Sequence, residues 1–349
     1  MQLSIFVGQL NLALEKTVPL LNSINRIFLL HFCLFGIFNT QGQVLRIDVI
    51  QQGDSYQDSS YYDILALDSE YWICGKYGTL KSIKANGEIK NVSSPSNGLD
   101  IYKMDKLDDN TIIASGDLGS IYMHNLASGQ WTSLQVDGYK DACFYNLAVM
   151  SPTLVYVSGG NSKIAHSKKT APEGFILESK DGGITWKEIY SNPFKMVWCV
   201  KKNPFDNQLY ALMYTLNKTH LFKLEEGKWE KKEKIGNSIF HEIQFESKTD
   251  YVATGGWIGK KGRVHYNQRK VAISNAGLIW GRVANDKYEL LPACNGQIVL
   301  GDKKGNHKLF GAQLNKDFRI YEAIFTSENT AIAIGSARTI LMLKISNDG

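Results

Sequence analysis

The chain is short of several things that would have announced its chemistry. Only seven of its 349 residues are proline, five are cysteine and seven are histidine. The histidines are scattered about one per region, so no metal-ligating spacing is present, and no Cys-x-x-Cys or Cys/His pair suggests zinc. There is no G-x-S-x-G, no P-loop, no His-Glu-x-x-His, and no G-x-G-x-x-G between a strand and a helix. No apolar run is long enough to cross a bilayer comfortably; the longest, Ile27 to Phe38, has twelve residues. Charge of one sign is also lacking in excess: a net +5 is mild for this length and does not favour a general nucleic-acid role. What is plentiful is glycine, at 31 residues, with 11% aromatics. That mixture suits many short strands joined by tight turns.

The apolar run Ile27–Phe38 is preceded by Arg26 and followed by Asn-Thr-Gln-Gly-Gln, the shape of an export signal. Thr40 and Gly42 are small enough for the −3 and −1 positions, which makes Gln43 the expected mature N-terminus. Residues 1–42 are therefore read as a signal peptide and 43–349 as the mature domain; a buried core strand or helix at 27–38 is the alternative. Residues 1–23 lengthen the segment before Arg26 well beyond the usual few residues, which fits translation starting further downstream at a non-Met codon. Cys33 lacks the small preceding residues that a lipid anchor needs. Removal of the leader leaves Cys74, Cys143, Cys199 and Cys294, each in or beside a strand-like run and far from the others, so buried free thiols are expected. The mature protein is expected to be periplasmic, surface-bound or released.

Internal repetition carries the architecture. A short apolar strand ending in small residues, a turn, and a second strand recur seven times, at 71–83, 111–123, 154–166, 209–224, 251–266, 298–311 and 331–343. The anchors Gly75, Gly116, Gly159, Met213, Gly255, Gly301 and Gly335 are spaced by 41, 43, 54, 42, 46 and 34 residues, about one four-stranded blade each. A polar or Gly turn leading into tryptophan follows at Trp131, Trp186, Trp229 and Trp280, read as rings capping the packing between blades. The fold expected is all-β: one seven-bladed β-propeller, its last blade completed by the strand Val44–Ile50 so that no sheet edge stays open.

Residues 179–186 (SKDGGITW) match S-x-D-x-G-x-x-W through Ser179, Asp181, Gly183 and Trp186. The octet resembles the Asp-box turn of BNR-repeat propellers: sialidases, sortilin-type receptors and, most closely, photosystem II stability/assembly factor-like proteins. That resemblance implies a structural role for the four residues, with Asp accepting turn amides, Gly in a conformation other residues resist, and Trp packing on neighbouring strands. Ser274–Gly277 reads as a shortened, decayed copy before Trp280. The assembly-factor likeness further implies a non-enzymatic scaffold holding a partner protein, although an arginine patch of the photosynthetic members has no residue-by-residue counterpart here. The sialidase likeness would need three converging arginines and an Arg-Ile-Pro motif; Leu45-Arg46-Ile47-Asp48 and Phe318-Arg319-Ile320-Tyr321 both lack the proline. No catalytic, cofactor-binding or metal-binding residue is assigned.

Binding is expected on the face opposite the 179–186 turn, where two basic segments project. Residues 159–174 bring Lys163, His166, Lys168 and Lys169; residues 255–270 bring Trp257, Lys260, Lys261, Arg263, Arg269 and Lys270, with His265 and Tyr266. Lys168, Lys169, Trp257, Lys260, Lys261, Arg263 and Arg269 are the candidate partner-binding residues. A cationic, aromatic surface suits an acidic protein segment or an anionic glycan, presented by a monomer that meets the membrane only through its export signal. A glycan-binding or sialidase-like hydrolase is the alternative function.

Overall fold

The computed structural model describes residues 43–54, 59–161, 173–215, 218–258, 260–267, 269–302, 306–311 and 317–347. Residues 1–42, expected to be a signal peptide, and the candidate binding residues Lys168 and Lys169 lie outside them. The propeller body spans Leu45–Lys344. Its described strands form seven four-stranded sheets, six running in simple sequence order and the seventh ordered Gln43–Gln51, Ile340–Asn347, Thr330–Gly335, Ile320–Phe325. The pairs are antiparallel, and the one helical segment among the described residues is a single 3₁₀ turn at Lys76–Gly78. No described helix is long and apolar enough to cross a membrane.

The innermost strands are Tyr61–Ala66, Ile101–Lys106, Ala142–Val149, Met196–Asn203, Ile239–Phe245, Val283–Ala284 and Ile320–Phe325. Apolar side chains fill the spaces between sheets. One cluster joins the third blade's Ala148, Tyr156 and Ile176 to the fourth blade's Val200, Ala211 and Met213. Another joins Tyr61, Ile64 and Ile73 of the first blade to Ile332, Ile334 and Ile340 of the seventh, so the first and last blades pack directly on each other. Because strands alternate direction, first-to-second and third-to-fourth turns share one face, and second-to-third turns and blade links share the other.

Small residues at the anchors have a steric cause. A Cβ at Gly75 would lie 2.0 Å from the Ser60 carbonyl oxygen, and one at Gly335 would lie 2.1 Å from that of Arg319. In the sixth blade the repeat is phased differently from the sequence reading. The 298–311 segment is its third and fourth strands (Ile298–Asp302 and His307–Phe310), and the hairpin matching the others joins Tyr288–Pro292 to Ile298–Asp302. The anchor is Ala293, bridged to Ile279, and not Gly301. Trp280 accordingly belongs to the inner edge of this blade, whereas Trp131 and Trp229 lie in outer strands. The turn Ser274–Gly277 follows Arg269–Ile273, the fourth strand of the fifth blade, so it is a blade link and not a counterpart of 179–186.

Candidate functional site

Six of the seven inner strands slip register once near their start. The slips fall between Tyr61 and Asp63, Ile101 and Lys103, Phe144 and Asn146, Val197 and Cys199, Phe240 and Glu242, and Ile320 and Glu322. A bulge of this kind adds an unpaired residue and re-aims its side chain. The residue skipped is Tyr62, Tyr102, Tyr145, Trp198, His241 or Tyr321, and in the sixth blade Trp280 follows the Ile279 bridge. These seven rings touch in a closed circuit, with successive centroids 5.3, 5.6, 5.5, 4.9, 4.7, 5.1 and 5.8 Å apart. One aromatic per blade therefore collars the propeller axis. Tyr62 donates to Asp100 at 3.2 Å and Tyr102 to Asp117 at 2.9 Å, which fixes two of the rings. Burial holds His241 neutral by pulling its pKa down to about 3.

Charged side chains from the same strands meet next to the collar. Lys103 binds Asp63 at 2.6 Å and Lys201 binds Glu242 at 2.8 Å. Burial opposes the charge on Lys103, but Asp63, Glu322 and Glu242, from the first, seventh and fifth blades, together raise its pKa well above normal. Only the axis brings these blades together. Asp105 and Glu322 share this space. Burial raises Asp105, and it pushes Glu322 up to about 7 against the pull of Lys103, with Glu242 and Asp63 adding repulsion.

The turn 179–186 joins the third and fourth strands of the third blade, Gly174–Ser179 and Lys187–Asn192. Asp181 accepts the Ile184 and Thr185 amides at 3.1 and 2.8 Å and the Thr185 hydroxyl at 2.6 Å; the Ser179 hydroxyl donates to it at 2.8 Å. The Thr185 contacts lead in lowering its pKa to about 2. Gly183 has φ +96°, and a Cβ there would lie 2.8 Å from the Ile113 methyl, so the position excludes other residues twice over. Trp186 donates to the Gly183 carbonyl at 3.0 Å and packs on the cluster holding Ile113, Ile121 and Leu177. The Ser179 and Asp181 side chains are thus spent on bonds within the turn, a structural use.

The second basic segment is not a single loop. Trp257, Lys260 and Lys261 sit in the turn between Tyr251–Gly256 and Gly262–Tyr266, and Arg263 is inside the latter strand. Arg269 begins Arg269–Ile273 after the next turn, at the opposite end of the blade. The expectation that these cations project together is corrected for Arg269, which lies over the Tyr266 ring at 4.8 Å. Trp257, Arg263 and Lys270 instead meet Lys234 of the fourth blade around a cavity of about 300 Å³. No carboxylate lines it, and Phe240, Ile235 and Val264 form its floor. The positive surface continues over the fourth blade: besides its burial, Lys231, Lys234, Lys195 and Lys218 all lower the pKa of His220. Among the described residues these lysines, Lys260, Lys261, Arg263 and Lys270 form no ion pair, whereas Lys84, Lys103, Lys106, Lys201, Lys223, Lys232 and Lys287 all do.

On the far side of the fifth blade a cavity of about 550 Å³ is lined by Arg269, Arg282, Glu246, Glu289, Tyr266 and Tyr288, among others. Here Arg282 is 9% exposed and is claimed at once by Glu289 at 2.7 Å, Glu246 at 2.6 Å and Gln244. Glu289 also takes hydrogen bonds from Tyr266 and from His307 Nε2. Burial would raise its pKa, but His307, Tyr266 and Arg282 win and lower it.

Cys74, Cys143, Cys199 and Cys294 are buried free thiols. Among the described residues no group of His, Cys, Asp and Glu is placed to hold a metal ion. Sequence reading missed the aromatic collar, whose members recur at intervals of 40, 43, 53, 43, 39 and 41 residues, a usable signal once a blade length is known.

No protein-family model matches the sequence, and no curated protein matches it. Solved structures do resemble the fold. YCF48 from Cyanidioschyzon merolae is 11% identical with a TM-score of 0.62, covering 84% of this chain and 98% of that one. YCF48 bound to D1 peptide is 12% identical with a TM-score of 0.61, covering 86% and 95%. A catalytically inactive virginiamycin B lyase from Staphylococcus aureus, with quinupristin, is 14% identical with a TM-score of 0.66, covering 86% and 99%. At such identities the likeness concerns the fold, which hosts an assembly factor and an enzyme alike.

Proposed function

We propose that this chain is an exported, non-enzymatic propeller that holds an acidic segment of a partner protein against the seam between its fourth and fifth blades. The observation that carries the reading is the cavity lined by Lys234, Arg263, Lys270 and Trp257 with no carboxylate among its walls. Lysines placed only for solubility are usually interspersed with acids, as Lys84, Lys232 and Lys287 are in their ion pairs. Here like charges are kept together beside an indole and an apolar floor, an arrangement that gains free energy only when an anion arrives. Trp257 is steadied edge-on by Tyr214 at 6.3 Å, and Ile258 beside it is 58% exposed, giving the anionic segment an apolar neighbour to cover. A propeller of similar fold, YCF48, is known bound to a peptide, which supports peptide capture as work this architecture can do. Export rests on the segment 27–38 and is checked by N-terminal sequencing of the mature protein, expected to begin at Gln43.

The test is capture from the cell-envelope fraction, with the partner identified by mass spectrometry, using the native protein and the triple variant Lys260→Glu, Lys261→Glu, Arg263→Glu. Loss of a proteinaceous partner with unchanged thermal stability supports the reading, and binding should weaken as salt is raised. Unchanged capture, or retention of a glycan alone, overturns it.

A further inference from the structure

The collar and the charges beside it are left unexplained by a rim-binding function. A regular ring whose seven sides match the observed centroid separations has its centre about 6 Å from each centroid, and each of the seven side chains is only half-buried, so the aromatics surround the axis with part of each ring accessible. Their faces and edges can therefore receive a group that enters along the axis. Two polar atoms within the collar, Trp198 Nε1 and His241 Nε2, are buried without a hydrogen-bond partner.

The charges beside the collar do not balance. Lys103 and Lys201 are each committed to a carboxylate, Asp63 and Glu242. That leaves Asp105 and Glu322 with no ion pair of their own among the described residues, held only by the longer-range pull of those same two lysines. Their recorded hydrogen bonds come from the backbone amides next to them in sequence, Lys106 and Ala323. Half-buried carboxylates that outnumber the cations beside them are costly to ionise and mark places where a further counter-charge is accommodated.

We infer that the axial collar is a binding site for an organic ammonium cation, received by the Tyr62, Tyr102, Tyr145, Trp198, Trp280 and Tyr321 rings and neutralised by Glu322 and Asp105. Aromatic cages backed by carboxylates favour methylated ammonium groups, whose charge is spread and whose hydration is weak. The cation could be a free small molecule or a side chain on a partner, and both present the same chemistry.

The test is calorimetric titration of the intact protein at pH 8 with tetramethylammonium, with a trimethyl-lysine peptide, and with the neutral isostere tert-butanol. Binding of either cation at least tenfold tighter than the isostere, weakened about tenfold by Glu322→Gln and by Trp198→Leu, supports the site. The free cation binding as well as the peptide assigns a small molecule, and a clear preference for the peptide assigns a side chain. Equal response to cation and isostere, no heat with any probe, or cation binding unchanged in Glu322→Gln overturns it. Because Trp198→Leu can loosen the collar, Glu322→Gln, which keeps the shape of the side chain, is the deciding variant. Neither variant touches the rim cations, so partner capture at the fourth and fifth blades should persist in both.

Discussion

The two seams that flank the fifth blade use similar residues to opposite ends. Between the fifth and sixth blades, Arg282 is met by Glu246 and Glu289 within 2.7 Å, and Glu289 is further held by Tyr266 and His307. That cluster is complete, and it clasps two sheets. Between the fourth and fifth blades, Lys234, Arg263 and Lys270 face a cavity with no acid to answer them. A buried guanidinium must be paired where it stands because its desolvation is expensive, whereas exposed cations stay hydrated and can wait for a partner. The difference separates a structural use of charge from a recognition use, and burial is what distinguishes them.

That contrast is broken most sharply at Arg282. Arg282→Ala should destabilise the protein by about 3 kcal/mol by leaving the buried Glu289 without its guanidinium, with only Tyr266 and His307 to hold it, read as a lower urea midpoint. A loss under 1 kcal/mol would mean the clasp is not what joins those blades. Glu322→Gln tests the opposite kind of buried carboxylate. Its folded pKa of about 7 is raised above the ordinary value, so the stabilising contribution of the protonated form is full below about pH 4.5 and is lost as pH rises through 7. The substitution should therefore stabilise by about 2 kcal/mol at pH 8 and make little difference at pH 4, with thermal melts across that range as the check. Glu289, lowered by its partners, behaves the other way: its contribution is present above the unfolded carboxyl pKa and disappears on acidification.

Asp181→Ala should cost about 1 kcal/mol through the lost turn hydrogen bonds. With its pKa lowered to about 2, the contribution of Asp181 is present above about pH 4 and fades as pH falls toward 2, much softened by solvent because the side chain is exposed. The smallest stability effect belongs to the fourth–fifth seam: Lys234→Ala with Lys270→Ala should change stability by less than about 0.5 kcal/mol while weakening partner capture. A large stability loss there would show the seam to be structural after all.

Much of the architecture was legible because five of the seven second strands carry near their end a glycine pressed against the preceding strand's carbonyl, a constraint visible as Gly75, Gly116, Gly159, Gly255 and Gly335. The sixth blade misled because Lys303-Lys304-Gly305-Asn306 is a better turn signal than Ala293-Cys294-Asn295-Gly296, and its inner strand has only two residues in regular pairing. Trp280 was misread for the same reason: a glycine-bearing turn precedes it, as one precedes the outer-strand tryptophans. Trp257 and Arg263 could be picked from a local run of charge. Lys195, Lys218, Lys231 and Lys234 could not, since antiparallel folding gathers them from separate stretches of chain. The collar stayed hidden because it takes one residue per blade, and tyrosine, tryptophan and histidine serve equally at a bulge.

The four thiols have a use beyond packing. Cys74, Cys143, Cys199 and Cys294 belong to the first, third, fourth and sixth blades, and burial raises every one of their pKa values, so the closed ring shields each from alkylation. An iodoacetamide time course, resolved cysteine by cysteine, would thus record which sector of the wheel breathes first and whether neighbouring sectors open together, without introducing a single foreign label.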